Sequence, residues 1–188
     1  MAENAQARRI EQRRNAILEV ARERAEAGGW PSVTTRTLAQ AIGYSQPVLY
    51  GHFPGGKSEI MSAIAMIGFG ELTAATRAAG EGLQGGEATY AVAEAYLRFA
   101  AENPVVYSAM FALPISATFA HADSEPILKE AFEIIVSVTG DPTDDAPTTA
   151  EVLWSALHGL SVLEQARRMR PERRTARLRS LAAHFGGS

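Results

Sequence analysis

Cysteine is absent from this 188-residue sequence, which removes disulfides and thiolate metal sites from consideration and fits an intracellular setting. No apolar run reaches the roughly 18 residues of a membrane span, so neither a transmembrane helix nor a membrane partner is expected. The opening MAENAQARRIEQRRN is charged where a secretory signal would be apolar, and the expected location is the cytoplasm. The four histidines, His52, His121, His158 and His184, are scattered without metal-ligand spacing, so no metal is expected. There is no Gly-x-Ser-x-Gly elbow and no phosphate loop. Gly80-x-Gly82-x-x-Gly85 matches the dinucleotide fingerprint literally, but it follows a helical pattern and lacks the strand that gives that motif meaning. Neither catalysis nor a cofactor is expected.

Strict alternation of apolar and polar residues is also missing, and nearly every segment carries the 3.6-residue period of an amphipathic helix, so the expected fold is all-α with about nine helices. Hydrophobic residues make up 46% and charged residues 21%, the balance of a globular protein. The net charge of −3 conceals an asymmetry: residues 1–60 hold eight Lys/Arg against six Asp/Glu, and the remainder ten against fifteen. Only the face that docks on a polyanion has to be positive, because charge attraction is screened within about 10 Å. From about Ala7 to Gly28, Ile10, Ile17, Leu18, Ala21 and Ala25 form one apolar stripe that Gly28-Gly29 ends.

Two short helices follow. Ser32, Val33 and Thr34 precede the first, with Leu38, Ala39 and Ile42 facing inward until Gly43. Ser45 is placed to cap the second and Pro47 sits in its first turn, with Val48 and Leu49 expected inward and an end near His52-Phe53-Pro54. This is a helix-turn-helix pattern, whose second helix enters the DNA major groove. Arg36, Ser45, Gln46, Tyr50 and His52 project outward on it; Arg36 suits guanine, Gln46 suits adenine, and Tyr50 and Lys57 suit phosphates. Tyr50 equally suits a half-buried packing residue, and His52 an ordinary surface histidine. The run Thr34-Thr35-Arg36-x-Leu38-Ala39-Gln40-x-x-Gly43-x-x-Gln46-Pro47-x-Leu49-Tyr50-x-His52, followed by Lys57, resembles the DNA-binding signature of the tetracycline-repressor (TetR) family, from about Ile10 to Ile64. The resemblance implies that Thr35, Tyr50 and Lys57 hold phosphates and that Arg36, Gln46 and Pro47 face bases. Pro54-Gly55-Gly56 departs from the more polar turn usual there.

A long fourth helix is expected from Gly55-Gly56-Lys57-Ser58 to about Ala79, then a linker over Gly80–Gly86, then helices near 87–102, 104–112, 124–139, 147–169 and 172–185. The expected division is a DNA-binding domain over 1–55, a connecting helix over 56–80 and a ligand-binding and dimerisation domain over 81–188. Aromatic and methionine residues at helical spacing in this region suit a core as well as an apolar ligand pocket. Phe69, Tyr96, Phe99, Tyr107, Met110, Phe111, Trp154 and His158 are the candidate ligand residues. Trp154-x-x-x-His158-Gly159, with Asn103-Pro104 and Met110-Phe111 upstream, resembles the Trp-x-x-x-His-Gly element of one TetR C-terminal subgroup. His158 shares a face with Trp154 and suits either a polar handle for a ligand or a satisfied interior group.

The last two helices carry more apolar residues, among them Val152, Leu153, Leu157, Leu160, Leu163, Leu178 and Leu181, than one thin layer needs, which points to a homodimer through them. The arginines from Arg167 to Arg179 suit a solvated or interface-rim face. The sequence therefore points to a ligand-responsive transcriptional regulator, a repressor by family resemblance, that binds palindromic double-stranded DNA as a homodimer and is released by an unidentified small effector. A constitutive DNA-binding protein without an effector is the alternative, and an all-α enzyme or carrier a third reading.

Overall fold

A computed structural model describes residues 2–112, 126–140 and 145–187. Among the described residues there are nine α-helices, two 3-10 turns and no strand: α1 (Ala2–Gly28), α2 (Thr35–Ala41), α3 (Gln46–His52), α4 (Gly56–Gly80), α5 (Gly85–Glu102), α6 (Pro104–Ala112), α7 (Pro126–Ser137), α8 (Ala146–Gln165) and α9 (Arg174–Phe185). The 3-10 turns are Trp30–Ser32 and Pro171–Arg173. His121 and the first two residues of the helix expected at 124–139 lie outside the described residues.

The described residues form two compact units: one of residues 2–68 with 105–112, the other of residues 69–104 with 126–140 and 145–187. In the first, α1 buries Ile17, Leu18, Ala21 and Ala25. Ile10, expected in the same stripe, is exposed, because α1 has no buried residue before Ile17 among those whose side chains are described. The Trp30–Ser32 turn follows, and the Trp30 indole donates to the Val105 carbonyl at 3.1 Å, tying the turn to α6. Gly68 is where α4 and α6 pack closely: a Cβ there would lie 2.4 Å from Val106 Cγ1 and 2.9 Å from Met110 Sδ.

In the second unit α5 buries Val92, Ala93, Tyr96, Leu97 and Ala100 and packs on α8 and α9, while α7 packs on α8. α9 is held at its end by glycines: the Gly140 amide donates to the Phe185 carbonyl at 2.7 Å, and a Cβ on Gly186 would lie 2.4 Å from Gly86 Cα. The Gly80–Gly86 breaker cluster forms the turn between α4 and α5 within this unit. α8 ends at Gln165, four residues before the expected 169, because Arg167 takes the left-handed conformation at φ 54°. The Arg168 amide then donates to the Leu163 carbonyl at 2.9 Å, closing a Schellman turn.

Candidate nucleic-acid interface

The helix pair is built from its caps. Thr34 Oγ1 accepts from the Thr37 amide at 3.1 Å while Thr37 Oγ1 accepts from the Thr34 amide at 3.0 Å, a reciprocal box that starts α2. Gly43 ends it at φ 70°, with the Tyr44 amide donating to Ala39 O at 2.8 Å and the Gly43 amide to Gln40 O at 3.4 Å. A single glycine in the left-handed region thus reverses the chain and aims α3 away from α2. Ser45 stands at the N-cap of α3 without the side-chain capping bond expected of it. Leu49 is the one buried side chain of α3, and Phe53 just past its end is fully buried.

The outcome is a short helix held by one edge. Ser45, Gln46 and Pro47 are exposed, Tyr50 is 45% exposed and His52 is partly buried. Val48, expected inward, is 39% exposed. On a seven-residue helix anchored through Leu49, a neighbouring position about 100° round falls outside the buried wedge. The apolar character of Val48 signals core in the sequence, but beside Gln46 and Pro47 it is an apolar group on the exposed face of α3, of the kind that suits a thymine methyl.

Three elements converge behind this helix. A Cβ on Gly56, the first residue of α4, would lie 3.3 Å from Tyr50 Cε1 and 3.5 Å from Thr35 Cγ2. The start of α2, the middle of α3 and the start of α4 therefore meet around Gly56, whose φ of 61° favours glycine. The Pro54-Gly55-Gly56 departure has its physical reason here, in the close approach and the backbone angle together. Lys57, partly buried, donates through Nζ to the Trp30 carbonyl, so its ammonium is held beside the first turn of α4. Arg14 of α1 donates to the His52 carbonyl, lies over the Phe53 ring with Cζ 4.1 Å from the centroid, and reaches Glu59 at 3.8 Å. Glu59 in turn accepts from the Gly55 amide at 2.9 Å. Thr34 and Arg36 are exposed and Thr35 partly buried at the start of α2, whose first amides have no partner within the helix. Backbone amides at helix starts, a hydroxyl on Tyr50 and a nearby ammonium are groups that hold phosphate oxygens.

The second unit contains a narrow apolar cleft lined by Leu72, Thr73 and Thr76 of α4, Tyr96 of α5, Phe132 of α7 and Trp154 of α8. The Trp154 indole donates to the Tyr96 hydroxyl at 3.2 Å. Thr73 and Thr76 turn their hydroxyls back onto the Phe69 and Leu72 carbonyls of their own helix, at 2.6 and 2.8 Å, leaving the wall largely apolar. Of the candidate ligand residues, Tyr96 and Trp154 line this cleft. Phe69 and Phe99 are buried in the same unit, and His158 is partly buried one turn along α8 from Trp154, where burial lowers its pKa. Tyr107, Met110 and Phe111 belong to the other unit, where Tyr107 and Phe111 form a tilted ring pair 4.7 Å apart. No helix among the described residues is long and apolar enough to cross a membrane.

Residues 17–64 match the bacterial regulatory proteins of the tetR family, and residues 89–185 match the tetracyclin repressor-like C-terminal domain. The HTH-type transcriptional regulator Rv0681 of Mycobacterium tuberculosis is 26% identical over 157 residues, which cover 80% of this chain and 69% of that protein. A protein of unknown function from Rhodococcus sp. RHA1 superposes with a TM-score of 0.71 at 22% identity, covering 92% of this chain and 94% of that one. A gamma-butyrolactone receptor superposes with a TM-score of 0.53 at 23% identity, covering 94% and 96%. These structural likenesses show a shared fold, while the two family matches take in the helix-turn-helix and most of the second unit. This chain belongs to the tetR family of bacterial regulatory proteins, DNA-binding transcriptional regulators with an N-terminal helix-turn-helix.

Proposed function

We propose that this regulator is a cytoplasmic repressor that binds palindromic operator DNA as a homodimer and leaves it when a small apolar or amphipathic effector binds in the second unit. The observation that carries the reading is α3, which buries only Leu49 and turns Gln46, Pro47, Val48 and Tyr50 outward. In this reading Arg36 and Gln46 contact base edges with Pro47 and Val48 beside them. Thr35, Tyr50 and Lys57 take phosphates, Lys57 exchanging the Trp30 carbonyl for a phosphate oxygen, and Thr34, Ser45 and His52 flank them. The second copy docks along α8 and α9, setting two α3 helices roughly 34–36 Å or a multiple apart on one face of the duplex.

The effector enters the cleft lined by Tyr96, Phe132 and Trp154, and the gamma-butyrolactone receptor is a fold relative whose name records a small-molecule ligand. Phe69, Phe99 and His158 belong to the same unit without lining the cleft, and Tyr107, Met110 and Phe111 belong to the other unit. α4 contributes residues to both units and to the cleft wall, so it is the lever by which occupancy changes the separation of the α3 helices. A ligand acts this way only through different affinities for the two shapes.

The test is selection of duplexes by the purified chain from random and genomic fragments, followed by titration with neutral lipophilic compounds. Recovery of a palindrome, with loss of affinity on compound binding, is expected. An operator affinity unchanged by every compound that binds would favour constitutive DNA binding, to which the narrowness of the cleft lends support. Arg36→Ala is expected to cost about 1–3 kcal/mol of discrimination at one base position. Unchanged preference at every position would remove Arg36 from the reading surface.

A further inference from the structure

The N-terminal half of α1 has no packing reason to be where it is. From Ala5 to Ala16 no residue is buried, whereas Ile17, Leu18, Ala21 and Ala25 anchor the remainder of the helix. Between Ala5 and Ala16 the helix carries Arg8, Arg9, Arg13 and Arg14 against a single acid, Glu11, with Glu3 preceding them. Arg14 is taken up by the His52 carbonyl, the Phe53 ring and Glu59. Arg13 is differently placed: it is exposed, and its guanidinium carbon stands 5.9 Å from the centroid of the Tyr44 ring. Tyr44 closes the turn between α2 and α3 and immediately precedes Ser45 and Gln46. Arg9 lies one turn before Arg13 on the same flank of the helix, at the spacing that brings side chains together. Arg8 lies about 140° round from Arg13 on the helix.

We propose that the exposed half of α1 extends the DNA interface, with Arg9 and Arg13 taking backbone phosphates outside those held around Gly56. The inference rests on the DNA-contacting role of α3 proposed above. Its grounds are the surplus of arginine on an exposed surface, and the continuity of that surface with the α2–α3 turn through Arg13 and Tyr44. The cation–π approach to Tyr44 favours an orientation of the Arg13 guanidinium toward the α2–α3 turn, which lessens the side-chain freedom given up on meeting a phosphate. Such contacts carry no sequence information, so their signature is the salt dependence of binding and not the preference for one site.

The test measures affinity by fluorescence anisotropy over a range of salt. The full chain is titrated with a duplex recovered by selection and with an unrelated duplex of equal length. Arg9→Gln combined with Arg13→Gln is expected to flatten the plot of log affinity against log salt by about 1 for each phosphate no longer held, and to weaken both duplexes by a similar factor. Arg13→Lys, which keeps the charge, retains the slope, and Arg8→Gln leaves it unchanged. The thermal midpoint of the double variant stays at the wild-type value, since neither side chain is buried. A wild-type slope in the double variant, or an equal flattening in Arg8→Gln, overturns the proposal while leaving the role of α3 intact. A wild-type chain that binds neither duplex even in dilute salt overturns the role of α3 and this extension together.

Discussion

Gly43 and Arg167 occupy the same left-handed region, at φ 70° and 54°, and close the same kind of turn at the ends of α2 and α8. A Cβ at Gly43 would meet nothing within 4 Å, so the cost of Gly43→Ala is conformational alone, about 1 kcal/mol. Arg167 already bears that cost and is exposed, so Arg167→Gly is expected to stabilise the fold by about 0.5–1 kcal/mol. Denaturant midpoints moving in opposite directions at constant slope would bear out both; a destabilising Arg167→Gly would mean the side chain does more than its exposure indicates. The contrast also explains what the sequence made legible. A glycine between two short periodic runs announces a turn, whereas an arginine in the left-handed region has the local signature of a continuing helix, which is why α8 was expected four residues too long. Val48 eluded the same logic, because a valine adjoining the anchoring Leu49 carries no mark of which edge of a seven-residue helix is buried. At His158 burial lowers the pKa, so the unfolded chain binds a proton that the folded chain resists. Its effect is therefore absent above the ordinary histidine value of about 6.5 and destabilising as pH falls below it. The wild-type thermal midpoint should fall between about pH 7 and about pH 5 by more than that of His158→Asn, and parallel curves would dismiss the effect.

Among the elements, α3 depends on its anchors to a degree that its neighbours do not. With Leu49 its only buried side chain, Leu49→Ala removes the wedge that holds the helix between α1 and α2 and is expected to cost about 2–5 kcal/mol. Val48→Ala lies outside that wedge and should leave stability within about 0.5 kcal/mol. If Val48 meets a base, the same change lowers affinity for a selected duplex and spares affinity for an unrelated one, so the two variants separate holding from reading. Chemical denaturation and duplex titration of both chains supply the comparison; a Val48→Ala chain that loses stability like Leu49→Ala would put Val48 in the core. The helix pattern itself was readable because caps and breakers are local: Thr34 with Thr37, Gly43, Pro47 and Gly28-Gly29 act within a few residues of themselves. The convergence of Thr35, Tyr50 and Gly56 was not, because it joins three helices through space and leaves no periodic trace.

At the scale of the whole molecule the open question is what covers α8. Val152, Val162 and Leu163 are 53%, 47% and 40% exposed on it, and beside them a groove runs between α8 and α9 past Ala156, Gly159, Leu160 and Phe185. Glu164 clamps the two helices to each other through Arg174 at 3.5 Å and Arg177 at 2.6 Å, so this apolar face belongs to a braced pair. A stable interface buries about 800 Å² per partner, and in the function proposed above a second copy laid across both helices is the cover that a two-fold operator would require. Leu163→Glu places an unpaired carboxylate in that face, where leaving water is costly, while in the single chain it remains at an exposed position. The expected product is a folded monomer by sedimentation. Without its twin, each α3 binds a half-site independently, and the gain from linking two half-sites, on the order of 10²–10⁴, disappears. Affinity for a palindrome should therefore fall by about that factor, towards the unchanged affinity for an isolated half-site. A Leu163→Glu chain that still sediments as a dimer at micromolar concentration would move the interface away from this face. A monomer that keeps full palindrome affinity would separate dimerisation from operator recognition altogether.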